Sequence, residues 1–282
     1  MQLPVIRGII DRRLLINYRV DPDILATILP APFRPQLVNG LGIAGICLIR
    51  FRSLRPVWWP SRGGFSSENA AHRIAVQWDA NGTRNTGVFV VRRQTNSRWN
   101  ALAGGRLFPG AHTLAKFCVS ETARTFHIGS LSDDGQTSVD VSAHITAGWP
   151  RDSVFASVDD ASRFFSRGSC GYSPSRNGRQ FEGLELHCPD WRVEPLEVEY
   201  ARSQLFQNVG LFPPGSVHLD CGLLMRNIAH EWHALPTLNR AAAITDLLQV
   251  PWMSRPRPRA PRPAITWQAG DRQTAWFGRG SL

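Results

Sequence analysis

The stretch HRIAVQWDANGTRNTGVFVVRRQT, residues 72–95, contains two runs of β-forming residues separated by the dipeptide Asn81-Gly82. The first run, 72–79, alternates apolar and polar side chains, as a strand with one buried face does. Asn-Gly between two such runs is a strong signal for a tight hairpin turn. The stretch therefore predicts an antiparallel hairpin, and this hairpin is the starting point for assigning the fold.

Strands outnumber helices in the rest of the sequence. Helices are predicted at 21–29 with Asp21 as the N-cap and Pro22 in the first turn, at 97–105, at 157–168 with Ser157 as the N-cap, and at 237–253. Strands are predicted at 14–20, 42–54, 112–121, 123–130 and 137–146, strands with at most one helix between 191 and 232, and a loop at 168–180. Because the strands occur in runs, we expect an antiparallel α+β fold rather than a doubly wound one.

The composition predicts a globular protein with one main domain. Hydrophobic residues make up 43% of the 282 residues, which suffices for a substantial core. We expect a single domain over residues 1–250 and an extended Arg/Pro-rich tail over 251–282, because proline continues neither a helix nor a central strand. No stretch approaches the ~20 apolar residues of a membrane-spanning helix, and the first residues do not read as a leader, so we expect a cytoplasmic protein without a membrane partner.

Charge and cysteine content narrow the classes of function. The net charge is +10, about half of it in the tail, and no basic stripe or stacked-aromatic motif marks a nucleic-acid site. The five cysteines are scattered without a C-x-x-C pair, which favours reduced thiols over disulfides or a zinc cage. We therefore expect no specific nucleic-acid partner, no metal and no cofactor.

Three short motifs have both a functional and an ordinary interpretation. GLGIAG, 40–45, matches a dinucleotide-binding pattern, but a β-like run follows it instead of a helix, which favours a glycine-rich strand. HEWH, 230–233, is one residue short of the zinc motif H-E-x-x-H, which favours a strand end with a hydrogen-bonded histidine. Cys170 lies in the predicted loop, where an ordinary cysteine is favoured over a nucleophile.

Side-chain alternation selects candidate site residues within and before the hairpin. In SSENAAHRIAVQWD, 66–79, it places Glu68 and His72 on one face and Arg73 on the other. Glu68 and His72 form an acid/base pair if their face lines a cavity, and are ordinary solvated residues if it faces water. Arg92 and Arg93 have opposite faces, so one guanidinium points inward or the strand ends there, and an inward guanidinium suits an anionic substrate.

Lys116 is the only lysine among 32 lysine and arginine residues. A lysine in a dry pocket can lose its proton and attack a carbonyl group, whereas arginine stays protonated. Alternation in LAKFCV, 114–119, puts Lys116 and Cys118 on one face, which is either the cavity wall or the exterior. Lys116 is therefore either a nucleophile or a residue without a catalytic role.

The order of three segments resembles a known family. The segments are LPAPFRPQLVNGLGIAGICLIRFRSLRP at 29–56, the stretch from SSENAAH to LAKF at 66–117, and LLMRNIAHEW at 223–232. Over about residues 1–240 the chain resembles the YqjF-like bacterial proteins, an uncharacterised family related to acetoacetate decarboxylase. The resemblance implies an antiparallel β-barrel-like core with peripheral helices around a polar cavity.

The resemblance also nominates site residues. In acetoacetate decarboxylase, a glutamate and an arginine line the cavity, and a lysine forms a Schiff base with a keto acid. Glu68 matches the glutamate and Arg106 the arginine. Gly110 and Ala111 occupy the places of a lysine pair, so Lys116 is not the Schiff-base lysine by alignment. His112 lies where related proteins often carry a histidine.

Two classes of function remain open. The first is an acetoacetate decarboxylase-like lyase of the decarboxylase, aldolase or dehydratase type that acts on a small oxo acid or related anionic metabolite. Its candidate catalytic residues are Glu68, His112 and Lys116, and its candidate substrate-binding residues are Arg73, Arg92, Arg93 and Arg106. The second is a non-catalytic protein that binds a small molecule in the same cavity or a partner through its basic tail. The oligomeric state stays open, with a homo-oligomer as one alternative.

Overall fold

The computed structural model describes residues 4–60, 64–80, 82–103 and 110–239. Within these ranges the helices are α1 (Pro22–Ile28), α2 (Arg98–Ala103) and α3 (Val158–Arg167). The strands are β1 (Ile6–Val20), β2 (Arg34–Pro35), β3 (Leu37–Val38), β4 (Leu41–Pro56), β5 (Phe65–Ala80), β6 (Thr83–Thr95), β7 (Thr113–Glu121), β8 (Thr125–Ser132), β9 (Ser138–Ile145), β10 (Cys170–Pro174), β11 (Gln180–His187), β12 (Glu194–Ser203) and β13 (Val217–Asn239). The fold is α+β with strands in the majority, which confirms the predicted class.

The predicted hairpin and the two predicted N-caps are present. β5 and β6 pair antiparallel from Ala80 and Thr83 onward. Asp21 accepts a hydrogen bond from the Asp23 amide at 2.9 Å, and Ser157 accepts one from the Asp160 amide at 3.2 Å. These contacts satisfy amide groups that a first helical turn leaves free. Local side-chain chemistry therefore determines where these helices begin.

All strands belong to one sheet that closes on itself along two paths. The first barrel runs through β1, β4, β5, β6, β10, β11 and β13. The second barrel runs through β1, β4, β5, β6, β7, β8, β9, β12 and β13. β6 pairs in parallel with β7 and with β10, and the other pairs are antiparallel. The core is therefore barrel-like, with the helices at its periphery.

Five long strands, β1, β4, β5, β6 and β13, are walls of both barrels. Successive side chains of a strand point to opposite faces, so neighbouring residues of these strands enter different cores. Leu14 and Ile16 pack in one hydrophobic cluster, whereas Leu15 packs in the other. Both faces of a shared strand are consequently interior.

The prediction of a loop at 168–180 was wrong, because this segment contains β10 and the first residue of β11. Its small and polar residues read as a loop, yet β10 pairs with β6 on one side and β11 on the other. Pairing with distant strands, rather than local propensity, makes this segment a strand.

The C-terminal part of the described chain contains no helix between 191 and 239. β13 is one strand of 23 residues, and most of the helix predicted at 237–253 lies outside the described residues, as does the tail. None of the helices within the described ranges is long and apolar enough to cross a membrane.

Gly45 marks a close approach of β4 to β1. A methyl group at Gly45 would lie 2.6 Å from the Ile16 carbonyl oxygen and 3.4 Å from Arg73 Nη2. Because that oxygen belongs to a paired backbone, we expect Gly45→Ala to lower the free energy of unfolding by about 1–3 kcal/mol, measured by urea denaturation. Gly148→Ala is the control, since its nearest atom, Thr146 Oγ1, is 3.5 Å away. Equal stability of the two variants would contradict the close approach.

Candidate functional site

The first barrel contains a cavity of about 170 Å³. Apolar side chains of its strands and of α3 form most of the wall. The polar and titratable side chains at the wall are those of Arg13, Cys47, Asn69, Arg73, Arg93, Gln94, Asn100, His112 and Ser169. A mainly apolar pocket with a few convergent polar groups is the usual form of a small-molecule site.

Arg73 places a buried cation in this wall. The alternation of β5 turns Asn69, Ala71 and Arg73 toward the cavity. Arg73 is 4% exposed and donates from Nη2 to Asn17 Oδ1 at 2.5 Å, and its guanidinium lies 4.7 Å from the Phe165 ring centroid. Its Nε has no hydrogen-bond partner among the described residues. Burial lowers the pKa of Arg73 to about 10, so the group remains charged at neutral pH.

Arg13 lies beside the Cys47 thiol. Arg13 Nε is 3.2 Å from Cys47 Sγ, and Arg13 Nη1 is 3.7 Å from Met225 Sδ. The guanidinium also lies 5.8 Å from the Trp191 ring centroid. Its neighbours are therefore two sulfur atoms and an aromatic ring, and none of them carries a formal negative charge as a carboxylate does.

Arg93 and His112 are neighbours at the same cavity. Arg93 Nε donates to Ser173 Oγ at 3.0 Å, and His112 Nδ1 lies 3.1 Å from the Gly110 carbonyl oxygen. Burial lowers the pKa of Arg93 to about 10. Burial and then the charge of Arg93 lower the pKa of His112 to about 3. His112 is therefore neutral at physiological pH, and because Nδ1 donates to the carbonyl group, Nε2 is the nitrogen that can accept a proton.

The cavity is strongly electropositive. Three guanidinium groups line it, and no aspartate or glutamate is among its described lining residues. Burial has the largest effect on the pKa of Arg93 and lowers it, whereas Cys47 and then the nearby carboxylate Glu182 act in the opposite direction. Glu182 Oε2 accepts a hydrogen bond from the Gly110 amide at 2.9 Å. Guanidinium groups are suited to carboxylate and phosphate oxygens. The arrangement can therefore hold a small anion.

The sequence matches the model of DUF2071, described as an uncharacterized conserved protein, over residues 10–223. The chain belongs to the DUF2071 family. No curated protein matches the sequence. This match confirms the predicted membership of an uncharacterised family. Structural likeness supports the predicted relation of that family to acetoacetate decarboxylase.

Three solved structures are similar to this DUF2071 chain in fold. An acetoacetate decarboxylase-like enzyme from Sphingomonas wittichii RW1 is 12% identical over 85% of this chain and 93% of its own, with a TM-score of 0.53. The enduracididine biosynthesis enzyme MppR in complex with pyruvate is 11% identical over 86% and 91%, with a TM-score of 0.51. Acetoacetate decarboxylase from Legionella pneumophila is 12% identical over 83% and 88%, with a TM-score of 0.50. These likenesses show an acetoacetate decarboxylase-like fold.

Glu68, a predicted catalytic residue, lies on the face of β5 opposite the cavity. Its Oε2 is 2.5 Å from Arg12 Nη2 and its Oε1 is 2.5 Å from Arg50 Nε. Glu121 of β7 pairs with the same two arginines. Arg12 and Arg50 are direct cross-strand neighbours, so the two carboxylates neutralise two adjacent cations. The surroundings of Glu68 are those of a structural ion pair.

His72 shares the face of Glu68, as alternation predicts, but the two do not form an acid/base pair at the cavity. His72 is fully buried, and its Nε2 lies 2.8 Å from Ser203 Oγ. Arg92 lies on the opposite face of β6 from Arg93. The pKa of His72 is lowered first by its burial and then by the charge of Arg92. Neither His72 nor Arg92 is among the described residues that line the cavity.

Lys116 is exposed on the outer face of β7, beside the exposed Cys118. Ala115 and Phe117, on the other face of that strand, pack in the core. Lys116 is therefore not part of the cavity wall, and because it is the only lysine in the sequence, no lysine lines the cavity. Arg106 lies outside the described residues.

Sequence analysis missed Arg13 and Cys47 as cavity residues. The sequence does contain a signal that could have identified Arg13. β1 carries the pair Arg12-Arg13, as β6 carries Arg92-Arg93, and in each pair one arginine faces each barrel. Residues 41–45 of GLGIAG lie in β4, and HEWH lies in β13. Among the described residues, no three His, Cys, Asp or Glu side chains are grouped to hold a metal ion.

Removal of the Glu68 charge should affect folding and not ligand binding. Glu68→Gln leaves Glu121 alone against the buried Arg12 and its neighbour Arg50, so we expect the free energy of unfolding to fall by about 3 kcal/mol. Urea denaturation measures this loss, and calorimetric titration with a small carboxylate should show unchanged affinity. Glu197→Gln removes a carboxylate that is 65% exposed and is the control. Unchanged stability together with weakened binding would make Glu68 a site residue instead.

His72 should make stability depend on pH. Burial lowers its pKa from 6.5 to about 3, so the unfolded chain binds a proton before the folded chain does. The free energy of unfolding should therefore be full above pH ~6.5 and should fall by up to about 1.4 kcal/mol per pH unit as the pH decreases from ~6.5 toward ~3.

His72→Asn should reduce this slope, measured by urea denaturation at several pH values between 7 and 4. His112 and His230, whose pKa values burial also lowers, account for slope that remains. His218→Asn, which replaces an exposed ring, is the matched control. Identical slopes in the wild type and His72→Asn would show that His72 accepts a proton in the folded protein.

Proposed function

We propose that the cavity of the first barrel binds a small oxo acid or related anionic metabolite, and that the protein acts on it as an enzyme of the acetoacetate decarboxylase-like superfamily. The observation that carries this proposal is the set of three guanidinium groups, Arg13, Arg73 and Arg93, in a cavity whose described lining has no carboxylate.

The charge balance of the cavity favours an anionic ligand. A buried charge is costly unless a counter-charge or hydrogen bonds compensate it. The ionisable groups near Arg73 are the Cys47 and Cys221 thiols and the Arg13 guanidinium, with no carboxylate among them, and the contacts of Arg13 are sulfur atoms and an indole ring. A carboxylate between these guanidinium groups would supply the missing negative charge.

The size of the cavity limits the ligand to a few non-hydrogen atoms. A volume of about 170 Å³ is close to that of a cavity of ~150 Å³ that holds benzene. Small oxo acids are of this size. MppR, which has a similar fold, has been solved in complex with pyruvate, and this supports an oxo acid as the class of ligand here.

His112 is the proposed acid/base residue. Its neutral imidazole presents Nε2 as a proton acceptor, and the charge of a carboxylate bound beside Arg93 would raise the low pKa of His112. A guanidinium group can stabilise the negative charge that develops on a carbonyl oxygen. Together they suit removal of a proton from the carbon next to the carbonyl group, the step that aldolase and dehydratase reactions share. Schiff-base chemistry on a cavity lysine has no residue to support it, because Lys116 is exposed on β7.

A non-catalytic binding protein is the second candidate. The position of Glu68 favours it, because this carboxylate pairs with Arg12 and Arg50 and does not line the cavity. Of the acid/base groups that the sequence predicts, His112 alone is then at the cavity. Arginine residues, a neutral histidine and amide side chains suffice to bind an anion.

Binding of pyruvate and acetoacetate should depend on the cavity arginines. We expect Arg93→Gln to weaken both ligands by at least about tenfold, equivalent to ~1.4 kcal/mol, in calorimetric titrations. Arg92→Gln, at the adjacent position on the opposite face, is the matched control and should bind normally. Acetone, which lacks the carboxylate, should not bind. Equal affinity of the two variants, or no binding of any carboxylate, would contradict the proposed site.

The same samples separate the two functions. An enzyme that removes the α-proton exchanges it with solvent, so the methyl signal of pyruvate in ²H₂O should decay faster with the protein present. His112→Gln should abolish this exchange and retain binding. Binding without exchange in the wild type would support the binding protein.

A further inference from the structure

Cys47 lies among the three arginines of the cavity. Arg13 Nε is 3.2 Å from its sulfur atom, and Arg73 and Arg93 line the same cavity. Cys47 is 7% exposed, and what remains exposed belongs to the cavity wall. An anion that pairs with these guanidinium groups therefore lies next to the sulfur atom.

A second observation points to this place as a ligand site. Arg73 is more than nine-tenths buried and lines the cavity, and its Nε has no partner among the described residues. Its other hydrogen bond, to Asn17, holds the guanidinium in place. An incompletely bonded donor that is fixed in the wall of a cavity is a position at which a bound ligand can complete the hydrogen bonding.

The Cys47 sulfur accepts a hydrogen bond from a guanidinium group and lines the cavity. The thiolate is the nucleophilic form of the side chain, and neighbouring arginines stabilise it. Among the described cavity residues, Cys47 is the one thiol, and no lysine is present to attack a carbonyl group.

We propose that Cys47 is a nucleophile that adds to the carbonyl carbon of a bound 2-oxo acid. The sulfur atom forms a bond to the carbonyl carbon, the π electron pair moves to the carbonyl oxygen, and that oxygen takes the thiol proton. The product is a hemithioketal, no group leaves, and the addition is reversible. The arginines hold the carboxylate of the oxo acid so that its carbonyl carbon faces the sulfur. This inference rests on the anion binding proposed above.

The other cysteines provide internal controls. Cys118 is exposed on β7, away from the cavity, and Cys221 is 2% exposed in the core. Cleavage after lysine and arginine places Cys47 and Cys118 on separate peptides, so their reactions can be followed in one sample by mass spectrometry.

The first experiment compares two alkylating reagents of similar size, iodoacetate, which is an anion, and iodoacetamide, which is neutral. In both reactions a sulfur–carbon bond forms and iodide leaves. We expect the ratio of the iodoacetate rate to the iodoacetamide rate to be at least tenfold higher at Cys47 than at Cys118. Pyruvate should slow alkylation of Cys47 alone, and Arg13→Gln should lower the ratio at Cys47 alone. Equal ratios at the two cysteines, or no alkylation at Cys47, would overturn the proposal.

The second experiment detects the adduct itself. Pyruvate labelled with ¹³C at its carbonyl carbon should give a new tetrahedral-carbon NMR signal with the wild type and with Cys118→Ser, and none with Cys47→Ser. A signal that persists in Cys47→Ser, or that is absent from the wild type, overturns the proposal. If Cys47→Ser still binds pyruvate in a titration while the wild type forms no adduct, the nucleophile is wrong and the anion site stands. If the wild type binds no carboxylate, the proposed function itself fails.

Discussion

The five strands that wall both barrels impose the constraint on which the rest of the structure depends. Both faces are buried along the central part of these strands, so a residue there enters one interior or the other according to its parity. A shift of one residue in the register would exchange the two interiors, which makes the register strongly specified. Consecutive arginines in such a strand, Arg12-Arg13 or Arg92-Arg93, deliver one cation to each barrel.

The two barrels compensate their cations differently. In the second barrel, Arg12 faces Glu68 and Glu121, and Arg50 pairs with the same carboxylates. The charges of that cluster balance, because two guanidinium groups face two carboxylates. In the first barrel, Arg13 and Arg73 are surrounded by sulfur, amide and aromatic groups. Buried charges without a counter-ion are more typical of a binding site than of a structural cluster.

Much of the fold was predictable because its signals are local. The Asn-Gly hairpin and the caps at Asp21 and Ser157 depend on residues within a few positions of each other. β10 was missed because its pairing with β6 joins segments far apart in the chain, and its own composition is typical of a loop. Propensity carries no information about such a partner.

The candidate site was only half predictable for a related reason. Alternation separates Glu68 and His72 from Asn69 and Arg73 correctly, but it cannot tell which face lines the cavity when both faces are interior. The proximity of Arg13 and Cys47 depends on the register of β1 against β4, in which Leu15 pairs with Cys47. That register follows from the closure of the barrels and is not contained in either segment alone.

Arg73 is anchored by contacts that join three of the shared strands. Asn17 accepts from Arg73 and donates to the Leu15 carbonyl oxygen at 3.2 Å and to Cys221 Sγ at 3.5 Å. These contacts connect β5 to β1 and β1 to β13, so the guanidinium is held by the shared walls before any ligand arrives. A ligand of a few atoms gains little from buried area, and its affinity depends on how little ordering its binding requires. Because the same strands are also walls of the second barrel, the closed ion pairs of Arg12 and Arg50 stabilise the framework that keeps Arg73 in position.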